Sequence, residues 1–260
     1  MKLMVLTENC AGSGFLAEHG LSYLIEHEGQ RFLFDVGNTD VFIKNAKKLG
    51  VDIQKEIDTV VLSHGHWDHG DGLDNIHDKT LITHPESFIK RFRKKDNSSL
   101  GLKLSKSDFQ QNFELILKKE PYNITNNIVF LGEIPRLNDF EAKTTNFVDE
   151  AGNPDFVMDD SAIAIIQNNE LIVITACSHS GICNIIEWAI KVTGITNVKT
   201  VIGGFHLKEN NQQTKQTINF LKNKGINKIY PSHCTEFPVL VAFYKEFSTE
   251  QLKTGMVLSF

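Results

Sequence analysis

The sequence predicts an α/β protein whose chemistry gathers at strand ends. Short apolar runs of strand length alternate with segments of helical periodicity. A run at 59–62 passes directly into Ser63-His64, and a run at 226–230 delivers Pro231-Ser232-His233-Cys234. At 260 residues the chain is long for one domain, but layered α/β folds of this size form single units, so one domain over 1–260 is expected.

Strands are predicted at 3–6, 22–26 and 31–35, the last two joined by the turn His27-Glu28-Gly29-Gln30. Residues 41–49 place Val41, Phe42, Ala46 and Leu49 at helical spacing, and Gly50 is a suitable stop. The stretch from about 87 to 150 is polar and irregular, and it reads as an insertion carrying the basic run Lys90, Arg91, Arg93, Lys94 and Lys95. Such a run could hold phosphate, but a solvated charged face is its commoner meaning. Strands return at 161–166 and 171–175 around Gln167-Asn168-Asn169-Glu170, followed by a helix at 185–192, a strand at 198–202 and a helix at 213–222.

With 41% hydrophobic and 23% charged residues, the composition is that of a packed globular protein. The net charge of -5 argues against the broad basic face that grips a nucleic-acid backbone. No apolar run has the roughly 20 residues of a membrane span. Met1-Lys2-Leu3-Met4-Val5-Leu6 lacks a signal-peptide pattern, so a cytoplasmic protein is expected. Cys10, Cys177, Cys183 and Cys234 form no CxxC pair, which predicts reduced thiols rather than a disulfide framework.

The strongest signal is Ser63-His64-Gly65-His66-Trp67-Asp68-His69-Gly70. In extended chain His64 and His66 point to one side and can share a cation, while Asp68 and His69 follow where the chain turns. By composition a chance match to this spacing is on the order of one in a thousand. Gly65 and Gly70 permit the tight backbone path that brings such ligands together.

On these residues the chain resembles the metallo-β-lactamase superfamily, which implies a four-layer αβ/βα sandwich with two mixed β-sheets and a two-metal site. Glu18-His19-Gly20-Leu21-Ser22, Leu33-Phe34-Asp35-Val36-Gly37, Cys177-Ser178-His179-Ser180-Gly181-Ile182, Gly203-Gly204-Phe205-His206-Leu207 and Pro231-Ser232-His233-Cys234 look like one branch of it. That branch comprises metal-dependent hydrolases and includes the 7,8-dihydropterin-6-methyl-4-(β-D-ribofuranosyl)aminobenzene 5′-phosphate synthase.

The resemblance implies His64 and His66 on a first metal, and Asp68, His69 and His233 on a second. Two departures stand out. Met158-Asp159-Asp160-Ser161 occupies the place of the usual third histidine, and Ala176-Cys177-Ser178-His179 that of a bridging aspartate. His179 is the expected substitute ligand, with Cys177 and Asp160 as alternatives. His206 is expected to meet negative charge developing on the substrate, and His19 and His84 to line the pocket or be satisfied locally. Asp35 and Gly37 read as structural, closing the strand before the first helix.

The expected function is metal-dependent hydrolysis of a small phosphoester, ester or lactone by a metal-bound hydroxide, with Asp68 holding metal and orienting the nucleophile. The cofactors would be two divalent ions, zinc first, with manganese, iron or nickel also suited to His and Asp ligands. A pterin-diphosphate-dependent transferase of methanopterin-type biosynthesis fits the same residues, as does a non-catalytic metal-binding module.

Overall fold

The computed structural model describes residues 1–260. In chain order the first elements are β1 (Lys2–Thr7), β2 (Ser22–His27), β3 (Gln30–Phe34), α1 (Val41–Lys48), α2 (Ile53–Glu56), β4 (Thr59–Val61), α3 (Trp67–Gly70) and β5 (Lys79–Thr83). There follow β6 (Arg91–Arg93), α4 (Lys106–Asn112), β7 (Phe113–Leu117), β8 (Tyr122–Thr125), β9 (Ile128–Phe130), β10 (Phe147–Asp149), β11 (Pro154–Asp155), β12 (Ala162–Gln167) and β13 (Glu170–Thr175). The chain closes with α5 (Ile182–Thr193), β14 (Val198–Gly204), α6 (Gln212–Asn223), β15 (Ile229–Ser232), α7 (Phe237–Phe247) and β16 (Val257–Ser259). No helix is long and apolar enough to cross a membrane.

Two compact units form. The first comprises Met1–Lys118, Asn146–Asp155 and Leu252–Phe260; the second comprises Lys119–Thr145 and Phe156–Gln251. Each holds one of the two mixed sheets that the sequence predicts.

In the first unit the sheet order is β16-β1-β2-β3-β4-β5-β7. It is antiparallel from β16 to β3 and parallel from β3 to β7. The β2–β3 turn puts Glu28 and Gly29 both at positive φ (49° and 79°), the geometry that matches hairpin twist. Helix α1 buries Phe42 and Ala46 against Leu6, Leu24 and Leu33 of the sheet. It stops at the predicted place, with Gly50 in the left-handed region at φ 81°. Past Thr59 the inner strand β4 and the following residue are apolar, with Val60, Val61 and Leu62 all buried, as a parallel strand covered on both faces requires.

The second unit orders its sheet β15-β14-β13-β12-β9-β8, with β13, β14 and β15 parallel. Its β12–β13 turn again uses two left-handed residues, Asn168 and Asn169. Ile185, Ile186 and Ala189 of α5, Ile218 and Leu221 of α6, and Val239 and Phe243 of α7 join Leu171, Val173 and Val201 in one apolar core.

Three sequence expectations need correction. The segment 87–150 is not irregular: it supplies β6, α4, β7, β8, β9 and β10, and β7 extends the large sheet in parallel with β5. Helix α5 begins at Ile182, three residues earlier than periodicity alone places it. The buried carboxylate of Glu141 accepts the Cys183 and Asn184 N–H groups, each at 3.0 Å, and so satisfies donors that an uncapped first turn would bury unpaired. The strand expected at 226–230 runs instead over Ile229–Ser232.

Candidate metal centre

The donors of the first unit grow directly from β4. Past Val61 the chain bends at Gly65, and His66 leads it into the short helix α3, which carries Asp68 and His69. A Cβ on Gly65 would lie 1.8 Å from the Ser87 carbonyl oxygen, so only glycine lets the two histidines straddle this close approach.

Asp35 organises these donors from beneath. Its fully buried carboxylate accepts the Ser63 N–H and the Ser63 Oγ–H, each at 2.7 Å, and stands 2.7 Å from His69 Nδ1. Ser63 Oγ also lies 2.8 Å from His64 Nδ1. A carboxylate only accepts, so the network assigns the proton to Nδ1 on both His64 and His69, leaving each Nε2 lone pair for a ligand. His64 Nε2 faces His66 Nδ1 at 3.0 Å, and His69 Nε2 lies 3.6 Å from Asp68 Oδ2.

Burial, reinforced by His69 and His66 nearby, holds the His64 pKa well below its ordinary value, so the ring is a neutral donor at neutral pH. Two imidazole nitrogens facing one another at such a distance, with a carboxylate and a third imidazole beside them, fit a divalent cation of the first transition row or zinc. His19 is exposed and sets Nε2 3.3 Å from Asp68 Oδ2, its ring 5.5 Å from Trp67. The Phe147 ring meets His66 edge-on at 5.1 Å.

His84 is buried, and its Nδ1 accepts the Glu86 N–H at 3.1 Å, a local role at the start of a short turn. In the basic run, Lys90 pairs with Glu150 and Arg93 with Asp96, both in solvent. Arg91 departs from that exposed pattern: it is fully buried and lies 3.2 Å from the Asp155 carboxylate.

The second unit presents its donors at the C-terminal ends of three adjacent parallel strands. β13 leads into Cys177 and His179, β14 into His206, and β15 into His233 and Cys234. Ser178, His206 and His233 all take positive φ, at 57°, 49° and 50°, a costly conformation for non-glycine residues that concentrates at functional sites. The strand ends are pinned by Ser178 Oγ–H donating to the Gly204 carbonyl at 2.6 Å and by the Phe205 N–H donating to Thr235 Oγ1 at 2.9 Å.

One ligand atom each of Cys177, His206 and Cys234 lies within 4.8 Å of the others, and the His179 ring packs 4.3 Å from that of His206. Burial acts to raise the Cys234 pKa. Hydrogen bonding with Cys177 and His206 and the nearby charge of His206 and His233 outweigh it, leaving the thiol well below its usual value. Asp160 turns instead onto Ser180, accepting its N–H at 2.9 Å and its Oγ–H at 2.5 Å, while burial pushes its carboxyl pKa up.

The sequence reading thus finds His64, His66, Asp68 and His69 in one cluster and His179 and His206 packed together. It misses Asp35 and Ser63, whose signal is a polar residue immediately after each of two buried apolar strands. It misses Cys234 as well, whose signal is its place beside His233 at the end of β15.

Comparison with known proteins finds relatives along the whole chain. The metallo-beta-lactamase superfamily model matches residues 17–102. The chain is 34% identical to the 7,8-dihydropterin-6-methyl-4-(beta-D-ribofuranosyl)-aminobenzene-5′-phosphate synthase of Methanocaldococcus jannaschii, with 100% of this chain and 97% of the relative covered. An uncharacterized protein of the same organism is 30% identical over 92% of each chain. Among solved structures, Tm1679, a metal-dependent hydrolase of the beta-lactamase superfamily, superposes with a TM-score of 0.87 at 28% identity, covering 100% of this chain and 99% of its own. YhfI from Bacillus subtilis, at 16% identity and a TM-score of 0.57, shares the fold. The chain belongs to the metallo-β-lactamase superfamily.

Proposed function

We propose that the chain is a metal-dependent hydrolase that cleaves a phosphoester, ester or lactone bond in a small molecule. The observation that carries this reading is the buried Asp35 relay, which commits one nitrogen of His64 and of His69 to internal hydrogen bonds and reserves the other for a cation. By resemblance to the family His64 and His66 would hold a first ion and Asp68, His69 and His233 a second, with His179 the proposed substitute for the usual third histidine of the first. Two divalent ions, zinc being the first choice, supply a water acidified toward a pKa of about 7 and positive charge for the substrate oxygen.

The chain's own groups do the rest. Asp68 balances the cationic charge and orients the attacking water. His19, in contact with Asp68 at the exposed rim, is placed to hold a proton at Nε2 and pass it to a leaving oxygen. Ser63 meets both Asp35 and His64, but it is fully buried and its hydroxyl proton is committed to the Asp35 carboxylate, so it does not compete as a nucleophile.

Protein purified without chelator is expected to turn over phosphodiesters, lactones or thioesters with no added carbon nucleophile, to stop on chelation and to recover with a divalent ion. A second reading, transfer from a pterin diphosphate to an aryl carbon, is favoured by the 34% identity along the whole chain with a synthase. Turnover only when both pterin diphosphate and acceptor are present would establish that reading and overturn hydrolysis.

The assignment of His179 is separately testable with manganese, a hard ion that thiolates bind poorly. At limiting manganese, His179→Ala is expected to lower occupancy by elemental analysis while Cys177→Ser leaves it near that of the parent. The reverse order would place the Cys177 thiolate in the first site.

A further inference from the structure

We propose that Cys177, His206 and Cys234 form a thiolate–imidazole site of their own, which takes a thiophilic divalent ion such as zinc or cobalt. It goes beyond the hydrolase reading, whose ions rest on nitrogen and oxygen donors. The ligand atoms of all three residues lie within 4.8 Å of one another, close enough for one tetrahedral ion to contact each. They come from the ends of β13, β14 and β15, three neighbouring parallel strands, so the sheet itself fixes their spacing.

Chain packing alone accounts poorly for this grouping. Gly203 sits at φ 122°, where a Cβ would lie 1.9 Å from the Thr175 carbonyl oxygen, and this close approach draws β14 against β13 just before Phe205-His206. Gly204 is as constrained: a Cβ there would stand 2.5 Å from Cys234 Sγ. Gly204 clears the space in which the Cys234 sulfur rests.

His206 is held at φ 49°, and its Nδ1 is buried with no hydrogen-bond partner. A buried ring nitrogen without a partner is costly unless a ligand fills the role, and a cation is the ligand that two neighbouring sulfurs select. None of the cysteines is in a disulfide, and Cys234 Sγ–H meets the Cys177 carbonyl at 3.3 Å, a weak bond that the sulfur gives up on binding a cation. Binding releases the proton of any Cys177 or Cys234 side chain still in its thiol form. Three protein donors leave a tetrahedral ion one position for a small exogenous ligand.

Cobalt reports the site directly, because thiolate ligation produces a near-ultraviolet charge-transfer band that nitrogen and oxygen ligands do not. The full-length protein loaded with cobalt is expected to show that band. Cys177→Ser and Cys234→Ser should each remove roughly half its intensity and the double variant all of it, since each sulfur contributes its own transition. His206→Ala should weaken cobalt binding measured by that band. His66→Ala should keep the band, separating this site from the donors after β4.

An intact band in Cys234→Ser, a parent protein without the band, or a band lost with His66→Ala would each overturn the assignment. Circular dichroism matched to the parent excludes misfolding. Cys234→Ala, which inserts no polar group, gives a second readout with the same expectation.

Discussion

Asp35→Asn is expected to leave the fold intact and weaken metal binding by roughly 10- to 100-fold, the usual loss when a group that orients metal ligands is changed. The side chain keeps its volume, and its remaining carbonyl can still accept from Ser63. What it loses is acceptance from His69 Nδ1, because the amide nitrogen donates. To avoid two donors facing each other at 2.7 Å, His69 must move its proton to Nε2, the nitrogen that a cation needs. Asp35→Ala goes further. It strands the Ser63 N–H and His69 Nδ1–H in a fully buried site, at a cost of about 3–5 kcal/mol, enough to lower the melting temperature of the metal-free protein by roughly 10 °C. Titration calorimetry with zinc, paired with thermal melts in chelator, separates the two effects. An Asp35→Asn protein that binds zinc as tightly as the parent would show that the relay does not set the tautomers.

Asp35 also shows where the sequence stops being legible. His64, His66, Asp68 and His69 stand out because ligand chemistry imposes a short spacing along one segment, which any reader of the chain can see. Their support does not. Asp35 lies 34 residues from His69 and meets it only because β3 and β4 pair in parallel, with Phe34 beside Val61. As a lone carboxylate after an apolar strand it is indistinguishable from a residue that merely ends the strand. The same holds for Cys234, which reaches Cys177 and His206 through the order of β13, β14 and β15 rather than through any local pattern.

Elsewhere, legibility follows periodicity. The two hairpins and α1 carry clean turn and stop signals, and all three are found where expected. In the segment 87–150 the strands are short and, apart from the buried β9, partly exposed, as in β7, where Glu114 interrupts the apolar residues and only Phe113 is buried. Pairing with β5 decides its conformation, and propensity alone is too weak to announce it. Helix α4 carries a readable signal, the capping box of Ser105 and Asp108, inside a stretch whose overall polarity reads as an irregular insertion.

The largest effect on activity is expected from Asp68→Asn. Asp68 is buried and held from both sides, its Oδ2 lying 3.6 Å from His69 Nε2 and 3.3 Å from His19 Nε2, so an isosteric amide fits with little rearrangement. The charge is what disappears. An amide would not balance the charge of a bound divalent ion or orient a water as a carboxylate would, and a fall in turnover on the order of 100-fold or more follows, at or beyond the upper end seen for residues that only orient a ligand. The comparison requires metal-saturated proteins with matched circular dichroism, assayed on one phosphodiester or ester. Solvent enriched in heavy oxygen supplies the second measurement, since hydrolysis must place solvent oxygen in the product, detectable by mass spectrometry. A fully active Asp68→Asn enzyme would remove Asp68 from the chemistry. Product formed without solvent oxygen would overturn hydrolysis itself and leave transfer to a carbon acceptor as the reaction.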